Sequence, residues 1–276
     1  MRTSLHQLKH GLFNLIEGDF ISQYAKSYGE WSEAEVILFQ KILNSPQHNV
    51  IEVGANIGMH AIPIAKMIPN GKLFCFEPQR IIFQTLCCNI NLNSLTNVYC
   101  YPMGISHYAY QTQIQSSNYN TAWNYGSFSI DKGFSTEGDF TGNISQETIS
   151  IIPIDQHNEI QQLDHLRLLK IDAEGFELNV LNGAKQTIEK HRPIIFIEAH
   201  LHSFEVLYDY LTAIDYDCYW FISNRYQTNN YFNAPETLSG FDFNFICFPN
   251  QQECILPEQF RVSKQEKENL PIIEWR

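Results

Sequence analysis

The sequence predicts an α/β protein built on a mostly parallel central sheet, with an antiparallel closing strand and an inserted lid or hairpin. Three observations carry this. Short apolar runs alternate with helical patterns over residues 49–101 and again over 166–214, the rhythm of βαβ units with right-handed crossovers. The run from Val50 to Gly58, Val-Ile-Glu-Val-Gly-Ala-Asn-Ile-Gly, reads as a strand, a glycine turn and a helix start. Between the two rhythmic stretches, residues 102–165 are rich in Tyr, Ser, Asn and Gly and break the pattern.

In chain order, residues 1–46 are expected to form an N-terminal helical segment. Its first 30 residues hold only short helical signals, at Leu12, Phe13, Leu15 and Ile16. Ser32 and Glu35 then match a capping box ahead of Val36, Ile37, Phe39, Ile42 and Leu43, which predicts a helix over 33–44 ended by Pro46. The main domain is expected over 47–250. Strands at 49–53, 72–76 and 97–101 alternate with helices at 57–68 and 80–92. An insert at about 105–160 follows, with alternating pieces at 110–115 and 147–154. A strand at 166–171, a helix at 177–189, a strand at 193–197 and a helix at 203–214 restore the rhythm. Apolar runs at 218–222 and 241–248 predict an antiparallel pair. The tail, 251–276, is polar, and only Leu270 to Ile273 is expected to dock.

The 276 residues carry 18 Lys and Arg against 30 Asp and Glu, a formal charge of −12. A surface of that sign repels nucleic acid phosphates and anionic membrane, so neither is an expected partner. A small molecule or carbohydrate fits better, and a homodimer stays open. Seven cysteines form no metal-ligand spacing, and with no secretory signal or long apolar segment they point to a reducing, cytoplasmic setting.

The glycine turn is followed nineteen residues later by Glu77, at the end of the second apolar run. A glycine turn and a strand-end acid are how a parallel sheet holds a nucleoside, the acid accepting from both ribose hydroxyls. The spacing at Gly54 and Gly58 is GxxxG, with Asn56 where a dinucleotide site needs its middle glycine. No pyrophosphate has to be accommodated if the cofactor is S-adenosylmethionine. The turn and Asn56 would meet its methionine carboxylate, and Glu52 its ammonium.

These motifs are similar to those of the FkbM-type family of class I S-adenosylmethionine-dependent methyltransferases. Val53 to Gly58 resembles that family's Gly-Ala-Asn-x-Gly turn, and Phe76-Glu-Pro78 its second strand end. Asn89 and Asn93 match its paired asparagines, and Lys170 to Glu177, then Val180 to Ala184, match its most specific stretch. Arg192-Pro193 and Ile197 to His200 follow in order, and Asn124-Tyr-Gly126 and Ile154-Asp155 fit the layout. The resemblance covers roughly residues 30–250. It implies a Rossmann-like class I methyltransferase fold and O-methylation of a sugar, glycan precursor or secondary metabolite. Met103 before Gly104, where the family has a small residue, leaves the adenine pocket open.

Methyl transfer to a hydroxyl needs an acceptor held in line and an outlet for its proton. Asp172, Glu174, Glu198 and His200 follow two strand ends that should face one crevice. Asp172 is the leading candidate to orient the acceptor or help take its proton, with His200 as the alternative base. Glu174 and Glu198 would hold hydroxyls or balance the sulfonium. Asn124 of the insert joins them on the resemblance, Asp155 more weakly. The cofactor set is Glu52, Gly54, Asn56, Gly58, Glu77, Met103, Gly104 and Asp172. Asp172, Glu198 and His200 could ligate a divalent ion, but no spacing is specific enough to assign a metal. Trp31 and Glu33 would line the pocket if the 33–44 helix crosses its mouth. A nicotinamide-dependent oxidoreductase and a non-catalytic module on the same fold are the rival readings.

Overall fold

The computed structural model describes residues 1–276 except 135, 251, 265–269 and 276; the last three groups belong to the expected C-terminal tail. The chain runs β1 (Thr3–Leu8), β2 (Gly11–Ile16), α1 (Phe20–Tyr28), α2 (Glu33–Ile42), β3 (Val50–Val53), α3 (Ala61–Met67), β4 (Leu73–Phe76), α4 (Arg80–Leu92) and β5 (Val98–Tyr101). It continues with β6 (Met103–Ile105), β7 (Tyr110–Ser117), β8 (Ile144–Ile152), α5 (Asn158–Gln161), β9 (Leu168–Ile171), α6 (Glu177–Asn182) and α7 (Lys185–His191). Last come β10 (Ile194–Glu198), α8 (Phe204–Ala213), β11 (Tyr216–Asn224), β12 (Phe241–Pro249) and β13 (Ile272–Ile273).

The central sheet has the order β13-β11-β12-β10-β9-β3-β4-β5. Strands β10, β9, β3, β4 and β5 are parallel, and β12 enters antiparallel between β10 and β11. Because the strands are covered on both faces, they read as apolar runs. Alternate residues feed two cores: Val50, Leu73, Leu168 and Phe196 face α2 to α4, whereas Ile51, Phe74, Leu169 and Ile197 face α5 to α8. The expected docking of Leu270 to Ile273 takes the form of β13, which pairs with β11.

Four local expectations need correction. The first residues form an antiparallel hairpin, with Thr3 opposite Ile16, and not a helical segment. Asn89 and Asn93 of α4 explain why. Asn89 accepts from the Asn14 N–H at 2.6 Å, and Asn93 accepts from the Leu12 N–H and donates to its carbonyl, so α4 presents amides that stand in for a neighbouring strand. The capping box fails because the Ser32 hydroxyl donates to Asp242 and Glu35 accepts from Asn244; both side chains turn to β12 instead. The helix expected over 57–68 starts only at Ala61, since Asn56 and Gly58 hold left-handed φ of 48° and 91°. The helix expected over 177–189 is two helices that break at Gly183, where a Cβ would lie 2.1 Å from the Ser106 carbonyl oxygen.

The insert begins at Met103 and is a three-stranded sheet of order β6-β8-β7, not a lone hairpin. Its loop beyond β7 crosses the carboxyl end of the central sheet. There the turn after β3 is pinned to β4, because Gly54 and Ala55 both donate to the Phe76 carbonyl. A Cβ on Gly54 would stand 1.7 Å from the Asp172 carbonyl oxygen. Only glycine lets β3 and β9 end so close together.

Candidate active site

A cleft of about 1070 Å³, counting its open mouth, lies over the carboxyl ends of β3, β4 and β9. Glu52, Gly54, Asn56, Glu77, Met103, Gly104, Asp172, Glu174, Glu198 and Asn124 of the expected residues all line it. Gly58 does not: it packs on α4, where a Cβ would meet Leu86 at 2.9 Å. His200 lines instead a wider outer cavity of about 1890 Å³. The two cavities share a wall that includes Trp31, His60, Asn124, Asp172, Glu174 and Glu198.

Glu77 directly follows β4 and is 4% exposed. Its carboxylate accepts from Asn56 N–H at 3.1 Å and Gln79 N–H at 2.9 Å, yet burial still pushes its pKa up to about 7. Glu52, 1% exposed, stands 3.4 Å from the Lys170 ammonium, and burial raises it to about 6. Lys170 also lies 3.6 Å from Asp172, whose side chain is 45% exposed into the cleft. A charged residue within Leu168-Leu-Lys-Ile171 was a legible sign of a buried pair that sequence reasoning passed over.

Glu177, not Glu174, serves the start of α6: its carboxylate accepts from Ala173 and Gly175 N–H at 3.1 and 3.0 Å. Glu174 holds a left-handed φ of 48° and is left facing the cleft. Burial, then the neighbouring Glu198 and Asp172, push Glu174 up to about 11. Glu198 rises to about 7 by burial, and its contact with His200 at 3.4 Å raises that imidazole to about 9. Burial thus favours the neutral form of Glu174, and the Glu198 contact favours the charged form of His200. The donor atoms of Glu174, Glu198 and His200 lie within 4.8 Å of one another.

Asn124 accepts from Gly126 N–H and donates to Glu137 at 2.8 Å, which aims the insert across both cavities. Asp155 is elsewhere, accepting from Gln186 and Thr187 N–H at the start of α7. Trp31 lines the pocket as expected, but Glu33 turns back to His10 at 2.7 Å and Lys9 at 3.1 Å of the hairpin. Arg225, 2.6 Å from Asp242 and 5.4 Å over the Trp31 ring, completes the far wall. It was missed because it comes from the β11–β12 connection, distant in sequence.

Folding raises Glu52 and Glu77 above the ordinary 4.5. The native state thus holds more protons than the unfolded chain between pH about 4.5 and 7, and stability is lost as pH rises through that window. Thermal scans of the ligand-free protein should show a Tm several degrees lower at pH 7.5 than at pH 5. A Tm that climbs across the interval would contradict the assignment.

The cleft fits S-adenosylmethionine. Glu77 is a buried acceptor at the strand end with room for a diol, Phe76, Met103, Ile105, Phe128 and Ile130 supply apolar walls, and Glu52 and Asp172 supply negative charge. A carboxylate at the sugar end and no middle glycine for a pyrophosphate define a class I S-adenosylmethionine-dependent methyltransferase of Rossmann-like fold. The chain belongs to the FkbM methyltransferase family, whose model, described as "Methyltransferase FkbM domain", matches residues 52–218. The oxidoreductase and non-catalytic readings are thereby set aside.

The chain is 27% identical over 206 residues to Methyltransferase sdnD of Sordaria araneosa, across 62% of this chain and 76% of that one. It is 27% identical over 158 residues to 2-O-methyltransferase NoeI of Sinorhizobium fredii (strain NBRC 101917 / NGR234), across 55% of this chain and 63% of that one. The crystal structure of Methyltransferase FkbM from Methylobacillus flagellatus KT aligns at TM-score 0.45 and 19% identity, covering 74% of this chain and 44% of that chain. The chain thus spans less than two thirds of NoeI and less than half of the solved FkbM chain. Among the described residues, no helix is long and apolar enough to cross a membrane.

Proposed function

We propose that this enzyme methylates a hydroxyl of a sugar, glycan precursor or secondary metabolite. The observation that carries the reading is the outer cavity, which shares a wall with the cofactor cleft and mixes Asn124, Thr136 and Asn244 with charged groups such as Lys132, Glu137 and Arg225. Such a mixture of acceptors and donors suits a polyhydroxylated partner. NoeI, named as a 2-O-methyltransferase, is consistent with it. Seven free cysteines support a reducing compartment.

Bound S-adenosylmethionine supplies the methyl group and keeps the carbon–sulfur electron pair as a neutral thioether. Glu77 would hold the ribose, the Gly54–Asn56 turn and Glu52 the amino acid end, and Met103 and Gly104 the adenine side. Asp172, fixed by Lys170 and exposed to both cavities, orients the acceptor hydroxyl. Glu174 as a neutral acid can donate to one acceptor oxygen while Glu198 accepts from another.

The test is transfer of labelled methyl to a panel of methyl hexosides, amino sugars and secondary alcohols. Transfer to oxygen in at least one is expected, and transfer confined to nitrogen or carbon acceptors would overturn the reading. With the best alcohol, Asp172→Asn should lower kcat about 10- to 100-fold and leave the Kd for S-adenosylhomocysteine within about threefold. An unchanged kcat at saturating acceptor would remove Asp172 from the machinery.

A further inference from the structure

His60 opens α3 directly after the glycine turn, its carbonyl accepting from the Ile64 N–H. The residue is 7% exposed. Its ring packs edge-on against Phe39 at 5.6 Å, and the side chain forms part of the wall common to both cavities. Nε2 is buried and has no hydrogen-bond partner among the described residues; the Glu35 carboxylate lies 3.6 Å away, too far for a bond. A buried ring nitrogen left without a partner costs free energy, and such groups recur where the chemistry needs them.

We propose that His60 is the base that takes the acceptor's hydroxyl proton, with Glu35 as the carboxyl group behind it. The inference rests on the O-methyltransferase reading. As the acceptor oxygen bonds the methyl carbon, the O–H electron pair stays on oxygen and the proton passes to an imidazole nitrogen. The resulting imidazolium faces Glu35, which burial and the neighbouring Asp242 hold toward its neutral form in the resting site, and a shift of a few tenths of an ångström closes that contact. Catalytic hydrogen bonds often tighten only when substrate is in place.

The surroundings favour a base over a cation. Burial, and after it the charges of Lys170 from β9 and His10 from the hairpin turn, hold His60 well below the ordinary imidazole range. His10 is engaged by Glu33 and Lys170 by Glu52 and Asp172. On the same wall burial favours the neutral form of Glu174, and Asp242 is tied to Arg225 and Ser32. The His60 side chain thus lies on the wall of both cavities, with its unpartnered Nε2 enclosed beside Glu35.

The experiment uses the full chain, S-adenosylmethionine, and whichever methyl hexoside or secondary alcohol the native enzyme methylates fastest. His60→Asn and His60→Ala should each lower kcat about 100-fold or more. The Kd for S-adenosylhomocysteine, by calorimetry, should stay within about threefold. The acid limb of the native kcat should lie well below the ordinary imidazole range, it should vanish in both variants, and added imidazole should restore part of the His60→Ala rate. A kcat within about threefold of native in either variant, or an acid limb of the native kcat that persists unchanged in both variants, would overturn the assignment. If the native enzyme methylates no alcohol at all, the hydroxyl reading fails first; retained activity in the variants sinks His60 alone.

Discussion

Glu77→Ala is expected to weaken S-adenosylhomocysteine binding by about 100-fold or more, with S-adenosylmethionine following suit. A carboxylate that accepts from two ribose hydroxyls contributes about 1.5–3 kcal/mol per charge-assisted bond, and 2.7 kcal/mol is already about 100-fold. Two further effects push the same way. The backbone N–H groups of Asn56 and Gln79 lose their acceptor, which loosens the turn that shapes the site. Glu77→Gln keeps one acceptor oxygen and should fall between the native protein and the alanine variant.

The interaction also has a pH signature. Glu77 sits at about 7 because burial disfavours its charge, and the diol selects the ionised form. Native affinity should therefore rise about tenfold from pH 6 to pH 8, and Glu77→Ala should flatten that slope. Calorimetry at both pH values checks it. A variant that binds within threefold of native would remove Glu77 from the cofactor site.

Lys170→Met should be the most destabilising single change at the cleft. The ammonium is 2% exposed and stands between Glu52 at 3.4 Å and Asp172 at 3.6 Å. Removing one partner of a buried pair costs about 3–5 kcal/mol, because the charge left behind has lost its water and its counter-ion. Most of that falls on Glu52, since half-exposed Asp172 is screened by solvent. For a chain of this size the Tm should drop about 10 °C at pH 8. At pH 5 the loss should shrink, because without Lys170 the buried Glu52 takes up a proton and the uncompensated charge disappears. Thermal scans at the two pH values test this, and equal losses at both would show that packing of the lysine stem, not its charge, sets the cost.

Local order made part of this readable in one dimension. A glycine that must adopt a left-handed turn, an acid ending an apolar strand, and alternating strand and helix periods are set by neighbours within a few residues. The Val50–Gly58 turn and Glu77 therefore stood out. Misreadings arose where a residue's partner is distant. Ser32 and Glu35 have the spacing of a helix cap, yet Asp242 and Asn244, more than 200 positions away, claim their side chains. Leu12 to Ile16 looked helical because four apolar residues in five fit either period, and the amides of Asn89 and Asn93 made them a strand.

The sequence by itself determined the sheet, the glycine turn, the strand-end acids and so the class of cofactor, because each is encoded in short runs whose backbone chemistry allows little else. Only the tertiary structure decided which acids keep their protons, that Lys170 binds Glu52 to Asp172, and that His60 stands beside Glu35 between two cavities. Protonation and pairing depend on burial and on charges brought together from distant segments, and those distances exist only once the chain has folded.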